Sequence, residues 1–205
     1  MTERRTQAQR RARSRALILD AAVKLLATRG YAGTSLAEIG KAAGLSRGMR
    51  TYHFGTKEAC MLAVVTSIRE GVVARLQAVE THGVEALERL IDTYFDGLRS
   101  DPDHAKAMYV IFIEGITGAP GLRPAVAQAN DLLRCRIVSL VREAVGAGQA
   151  ASGVNPEAVA TLLEGTMRGI AQQWLADPDN TRLDEAAELA KSSLRHLIAE
   201  PARST

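Results

Sequence analysis

The chain has 205 residues and is 46% hydrophobic, enough to bury one large core or two modest ones. No apolar run approaches the ~20 residues of a membrane span, and the charged N-terminus lacks an apolar signal core, so neither a bilayer protein nor a secreted one is expected. The net charge of +3 conceals an asymmetry: residues 1–60 hold 12 Lys and Arg against four acids, net +8, and the remainder is −5, which points one end at a polyanion.

Aromatics are scarce and Ala, Leu, Arg, Val and Glu dominate, which favours helix over sheet and predicts an all-α fold. Residues 1 to about 10 hold no large apolar side chain after Met1 and read as an arm without fixed structure. Arg10, Arg11, Arg13 and Arg15 lead into the first helix, either as a solvated tail or as a contact to phosphate or an adjacent minor groove. That helix is predicted from Ala12 to Thr28, with Leu17, Ile18, Ala21, Ala22, Leu25 and Leu26 on one face and Gly30 as its stop.

Ser35 and Glu38 form a capping-box pair ahead of Leu36, Ile39 and Ala43 at helical spacing. Gly44 breaks this short helix, Leu45 packs in the turn, and Ser46 caps the next. Two short helices about an Ala-Gly-Leu turn make a helix-turn-helix, whose second helix enters the DNA major groove. That second helix carries Arg47, Met49, Arg50 and Thr51 and no acid. Thr56 caps a fourth helix reaching about Glu80, with His82-Gly83 ending it.

Further helices are predicted over 84–99, 102–116, 123–145, 156–176 and 183–199, separated by Gly-, Pro- and Asp-rich breaks. Pro102 and Pro156 fall at first-turn positions. Residues 108–113, MYVIFI, read as buried helix, since no other stretch offers a partner strand. On the 156–176 helix, Gly165 and Gly169 lie four apart beside Leu162 and Thr166. Mid-helix glycines cost about 1 kcal/mol each and require a packing reason. With Leu194 and Leu197 of the last helix they suggest a two-fold dimer built as a four-helix bundle; the plainer reading is internal core.

Arg29-Gly30-Tyr31, Gly33-Thr34-Ser35, Ala43-Gly44-Leu45-Ser46, Gly48, Tyr52-His53-Phe54 and Thr56-Lys57-Glu58, in this order and spacing, resemble the N-terminal domain of the TetR family of transcriptional regulators. The resemblance spans roughly residues 12 to 62 in detail, and the rest only as a long helical tail. It implies a DNA-binding domain over residues 1–56 and a larger effector-binding and dimerisation domain over 57–205. It implies a ligand-responsive regulator, a repressor that binds a palindromic operator as a homodimer in the cytoplasm, without enzymatic activity. The DNA-contacting set is then Thr34, Ser35, Ser46, Arg47, Gly48, Met49, Arg50, Thr51, Tyr52, His53 and Lys57. Lys57 lies in the first turn of its helix, where the dipole disfavours a cation, so an external phosphate is expected there.

The apolar C-terminal helices carry sparse polar groups, which suits a small-molecule pocket and an ordinary core equally. The resemblance favours the pocket, with Tyr94, Met108, Tyr109, Phe112, Glu114, Met167 and Trp174 as its candidates. The competing class is a helical small-molecule-binding protein or enzyme with an incidental basic end. His53, His82, His104 and His196 lack ligand spacing, so neither a metal nor another cofactor is expected. Cys60, near a helix start, reads either as an oxidant sensor or as a small buried hydrophobe; with Cys135 it suits a reducing cytoplasm.

Arg50 and Thr51 stand where the family commonly has an apolar residue followed by Tyr. Arg47 and Arg50, three apart, share a helix face, and an arginine fork matches guanine O6 and N7 in the major groove. The alternative is that Arg50 grips phosphate or pairs with Glu38 or Glu58. Arg50→Ala is expected to relax the preference at one guanine of each half-site, by about 1–3 kcal/mol, when bound sequences are selected from random duplexes. An unchanged motif with uniformly weaker binding would assign Arg50 to the backbone.

Overall fold

A computed structural model of the chain describes residues 6–45, 54–77 and 81–199. These residues form eight α-helices, one 3-10 turn and no strand, in keeping with the all-α expectation. Their backbone falls into two compact units, residues 1–70 with 103–127 and residues 71–102 with 128–205.

In the first unit, α1 (Gln7–Arg29) opens on a complete capping box. Thr6 Oγ1 accepts from Gln9 N–H at 3.2 Å, and Gln9 Oε1 accepts from Thr6 N–H at 2.9 Å. The expected arm is therefore corrected: helix begins five residues earlier than the apolar pattern indicated, because the cap needs no core contact. Ile18, Leu19, Ala22, Val23 and Leu26 are buried, whereas Leu17, placed on the core stripe, is 41% exposed. The buried face is rotated from the expected one, and Leu19 and Val23 enter it.

The next element, α2 (Leu36–Ala42), is held at both ends. Ser35 Oγ accepts from Glu38 N–H at 3.2 Å while the Glu38 carboxylate accepts from Ser35 N–H at 3.0 Å. At the C-terminus Gly44, with φ 68°, donates to Lys41 O and Leu45 donates to Gly40 O, the paired bonds of a Schellman ending. Thr56 caps α3 (Lys57–Gln77) by accepting from Ala59 N–H at 3.1 Å, and Cys60, Met61, Val64 and Val65 face inward. The expected continuation to Glu80 lies outside the described residues. His82 and Gly83, expected to end that helix, instead open the next one, α4 (Gly83–Ser100).

Most of α5 (Pro102–Ile116) also lies in the first unit. It is helix as expected, but only Ala107, Ile111 and Gly115 are buried, and Ile113 and Ile116 are 58% and 62% exposed. One stripe, not the whole MYVIFI stretch, meets the core. The 3-10 turn Pro120–Leu122 then places Leu122 fully inside.

The second unit contains α4 (Gly83–Ser100), most of α6 (Arg123–Gly146), α7 (Pro156–Ala176) and α8 (Leu183–Ile198). The helices α4, α7 and α8 pack on one another around Leu87, Leu90, Ile91, Phe95, Leu163, Met167, Ala187 and Leu194. Asn155 caps α7, its Oδ1 accepting from Glu157 and Ala158 N–H, both at 3.0 Å, with Pro156 at the first position. Three ion pairs join α4 to α8: Glu88–Arg195, Asp92–Lys191 at 2.8 Å, and Asp184–Arg99. As the α4 number rises the α8 number falls, so the helices are antiparallel and the pairs fix their register. Each pair keeps at least one partner open to solvent and so adds only about 0.2–1 kcal/mol.

His82 offers α4 no side-chain cap. Gln149 does, its Oε1 accepting from Val84 N–H at 3.1 Å. Gly83 sits between them at φ 60°, and a Cβ there would overlap Gln149 Oε1. Gly83→Ala should therefore lower unfolding stability by more than the ~1 kcal/mol of backbone strain alone, while Gly146→Ala, with open space around it, should leave stability unchanged or slightly higher. Denaturant midpoints of the two variants check this.

Candidate nucleic-acid interface and effector region

The sequence assigns DNA contacts to Thr34, Ser35, Lys57 and the stretch Ser46, Arg47, Gly48, Met49, Arg50, Thr51, Tyr52 and His53. That stretch lies outside the described residues. What is described is its frame: the Schellman turn ending at Leu45 before it, and Phe54, Gly55 and the Thr56 cap after it. The Arg15 guanidinium of α1 lies 5.9 Å from the centroid of the Phe54 ring.

One of the remaining expectations is corrected by where its side chain lies. Thr34 is only 1% exposed, and its hydroxyl donates to Gly30 O at 2.7 Å, so it secures the turn after α1 and presents nothing outward. Ser35 remains exposed at the start of α2, where its hydroxyl accepts from Glu38 N–H and donates to Glu38 Oε2 at 2.8 Å. These bonds from Ser35, with Arg29 at 3.0 Å, hold the Glu38 carboxyl below the usual carboxylate range.

Lys57 departs from the expectation of an obligatory external anion. Its ammonium donates to Tyr31 O at 2.6 Å and sits 3.7 Å from the Tyr31 ring centroid. Desolvation in this position pushes the Lys57 pKa down, with Glu114 and Glu38 opposing the shift. Burial first, and then Glu58 and Glu114, pushes the Tyr31 phenol up. One residue on, Glu58 packs so closely on the 3-10 turn that a Cβ at Gly121 would overlap its Oε1. The pattern reading missed this Tyr31–Lys57–Glu58 cluster because Tyr31 and Lys57 are 26 residues apart in sequence. The aromatic directly after the Gly30 stop was the available signal.

Cys60 is fully buried, and desolvation pushes its thiol up to about 12, which overturns the oxidant-sensor reading in favour of a small core hydrophobe. Cys135 is exposed rather than buried.

The effector candidates are distributed over both units. In the first, Met108, Tyr109, Phe112 and Glu114 are carried by α5, and the Tyr109 and Phe112 rings meet edge-on with centroids 6.3 Å apart. In the second, Tyr94 stands edge-on to Phe95 at 5.4 Å, Met167 is fully buried and Trp174 is half-buried.

The outer face of α7 follows from a polar contact that the periodicity did not reveal. Glu164 is 5% exposed, its carboxyl held by Arg168 at 2.8 Å and Arg134 at 3.6 Å. Arg168 also donates to Asn130 Oδ1 of α6 at 2.8 Å. With Glu164 turned inward, Leu162, Gly165, Thr166 and Gly169 form the opposite stripe. Leu162 is 55% exposed, and nothing lies within 4 Å of a Cβ built on either glycine. On α8, Leu197 is exposed as expected, but Leu194 is 3% exposed in the core of its own unit and is corrected from interface to core. Leu189, 67% exposed and eight residues before Leu197, shares the outer face of α8 and was missed.

Among the described residues no group of His, Cys, Asp and Glu is placed to hold a metal ion, and no helix is long and apolar enough to cross a membrane.

Residues 18–64 match the family of bacterial regulatory proteins, tetR family. Residues 83–199, more than half of the chain, match the C-terminal region of BetI-type transcriptional repressors. The HTH-type transcriptional regulator CymR of Pseudomonas putida is 26% identical over 189 residues, 89% of each chain. The HTH-type transcriptional repressor AcnR of Corynebacterium glutamicum is 26% identical over 184 residues, 89% of this chain and 93% of its own. A TetR transcriptional regulator from Chloroflexus aurantiacus has a similar structure, with a TM-score of 0.82 at 25% identity over 92% of this chain and 98% of that one. SmeT, solved as a triclosan complex, gives a TM-score of 0.80 at 23% identity over 94% of both chains.

The Lys57 contact predicts a measurable cost. Lys57→Ala removes a charge-assisted hydrogen bond and a cation–π contact, so unfolding stability should fall by about 1–2 kcal/mol. Lys57→Met, which keeps the stem but not the donor, should not restore it. Thermal and denaturant unfolding of the two variants measure this, and parent-like stability in Lys57→Ala would discount the contact.

Proposed function

The chain belongs to the TetR family of bacterial regulatory proteins and is a transcriptional regulator, not an enzyme; from that premise we propose that it is a repressor, binding a palindromic operator as a homodimer and released by a small-molecule effector. The observation that carries the DNA reading is the frame around residues 46–53. A capped α2, a Schellman turn and the Lys57–Tyr31 contact flank an acid-free basic stretch at helix-turn-helix spacing. Within Ser46 to His53, Arg47 and Arg50 are the candidates for base contacts and Tyr52 for phosphate, and Lys57 adds one of its donors beyond the one used on Tyr31. Residues 1–56 are the DNA-binding part and 57–205 the regulatory part, acting in the cytoplasm.

The outward stripe of exposed Leu162 and Gly165 with half-buried Thr166 and Gly169, joined by Leu189 and Leu197 on the packed neighbour α8, supports two-fold pairing of α7 and α8 with their symmetry mates. Effector contact rests with Tyr94, Met108, Tyr109, Phe112, Glu114, Met167 and Trp174. SmeT, of the same fold, is solved with triclosan, which fits an apolar, aromatic effector here. Four of the candidates lie on α5, whose following turn bears on Glu58 at the start of α3. An effector that displaces α5 therefore has a mechanical route, within one compact unit, to the helix that follows the DNA-reading stretch.

Selection from random duplexes with the purified chain should return inverted half-sites with centres about one helical turn, ~34–36 Å, apart or somewhat more. Affinity should fall steeply with salt as counterions are released. Sedimentation should show a dimer, and Leu162→Asp should convert it to monomer with weakened operator binding. A monomeric parent that grips a single half-site tightly, or binding indifferent to salt, would sink the reading.

A further inference from the structure

The first unit contains a cleft whose lining lies outside the effector set. Its volume is about 350 Å³, at the small end of the ~300–1,000 Å³ of ligand sites. On α1, Ala12, Ala16, Leu19 and Val23 fall at i, i+4, i+7 and i+11, on a single helix face. Leu19 and Val23 are buried, whereas the two alanines are exposed and too short to close the gap to α3. From α3 come buried Val64 and, one turn on, half-buried Ile68. His104, in the first turn of α5, brings a third helix to the lining.

The charges on this apolar ground are not balanced. Asp20 and Arg15 both line the cleft, and the Asp20 carboxylate is paired with Lys24 at 3.0 Å. Arg15 has no ion pair among the described residues. Its guanidinium lies 5.9 Å from the Phe54 ring centroid, a contact that supplies its N–H donors with no oxygen acceptor. The Ser67 hydroxyl adds a hydrogen-bonding group from α3. A cleft with an apolar floor and one uncompensated guanidinium suits a molecule of matching make-up, an apolar body ending in a carboxylate. A protein helix does not fit, since a single turn, about 10 Å across and about 5.4 Å long, already exceeds the volume.

We propose that this cleft is a second ligand site, within the first unit, for a small aryl or short alkyl carboxylic acid. The body of the acid packs on Leu19, Val23, Val64 and Ile68, and Arg15 meets its carboxylate. The site goes beyond the effector reading and does not depend on DNA binding. Its occupant bridges α1 and α3, so binding stabilises the folded chain by mass action.

The test titrates benzoate, and its uncharged counterpart benzamide, into the full chain and follows backbone amide signals by NMR. Benzoate should shift amides of residues 12–23 and 64–68 saturably and raise the thermal midpoint. Benzamide should bind at the same place about tenfold more weakly, having lost a charge-assisted hydrogen bond. Arg15→Lys should keep that preference, and Arg15→Met should bring the two compounds to parity. Ala16→Phe, at an exposed position, should fill the cleft and abolish the saturable shifts of both. Ser67→Phe fills it from the other helix and decides the matter where Ala16→Phe alters the circular dichroism spectrum. Four results overturn the proposal: shifts that grow linearly with concentration, saturable shifts confined to the effector candidates, equal binding of benzoate and benzamide by the parent, or saturable binding that survives both filling variants.

Discussion

The hydrogen bond from Lys57 to the Tyr31 carbonyl is the constraint on which the DNA-binding end depends. A segment that must present its side chains to a groove has little apolar surface left for its own core. It must be held by what precedes and follows it. Lys57 joins the start of α3 to the loop after α1, across 26 residues of sequence, and so ties together the two ends of the segment proposed to read DNA. An ammonium there loses hydration, which depresses its pKa, and the Tyr31 ring and the nearby carboxylates compensate. The same region also contains Glu58 against the 3-10 turn, so one cluster joins the loop after α1, the start of α3 and the turn that follows α5.

In the second unit a comparable role falls to Glu164. Burying a carboxylate is unfavourable unless it is paired and hydrogen-bonded, and Arg168 and Arg134 meet that need from two helices, with Asn130 steadying Arg168. The result is less a gain in stability than a fixed rotation of α7. That rotation decides which side chains remain outside, and the small-residue stripe is what remains. The α4–α8 ion pairs likewise set register more than stability.

Much of this architecture was legible in the sequence where local chemistry dictates local structure. Pro102 and Pro156 marked helix starts that the backbone reproduces, and α5 and α7 run between the bounds expected. Ser35 with Glu38, and Gly44 after Ala43, gave both ends of α2. The early start of α1 was also written there, as Thr6 with Gln9, but a pattern search keyed to apolar spacing passes over a helix that buries nothing. The site was less legible, because its decisive contacts join residues far apart in sequence. Thr34 has the right type and position for a DNA contact, and only its bond to Gly30 O shows that it faces inward. Leu194 and Leu197 look alike in a string of letters, yet only one of them is exposed. Glu164 was hidden on an otherwise apolar face because its partners lie on another helix or one turn away.

The two glycines of α7 carry a further consequence. Each lowers the intrinsic stability of the helix by about 1 kcal/mol relative to alanine, and among the described residues nothing lies within 4 Å of where a Cβ would stand on either of them. In the proposed dimer that deficit is made good only when a second copy arrives, so part of the folding free energy belongs to association and obeys mass action. For such a dimer the melting temperature rises with protein concentration, because the free energy that tightens α7 is supplied by a second copy and not by the chain itself.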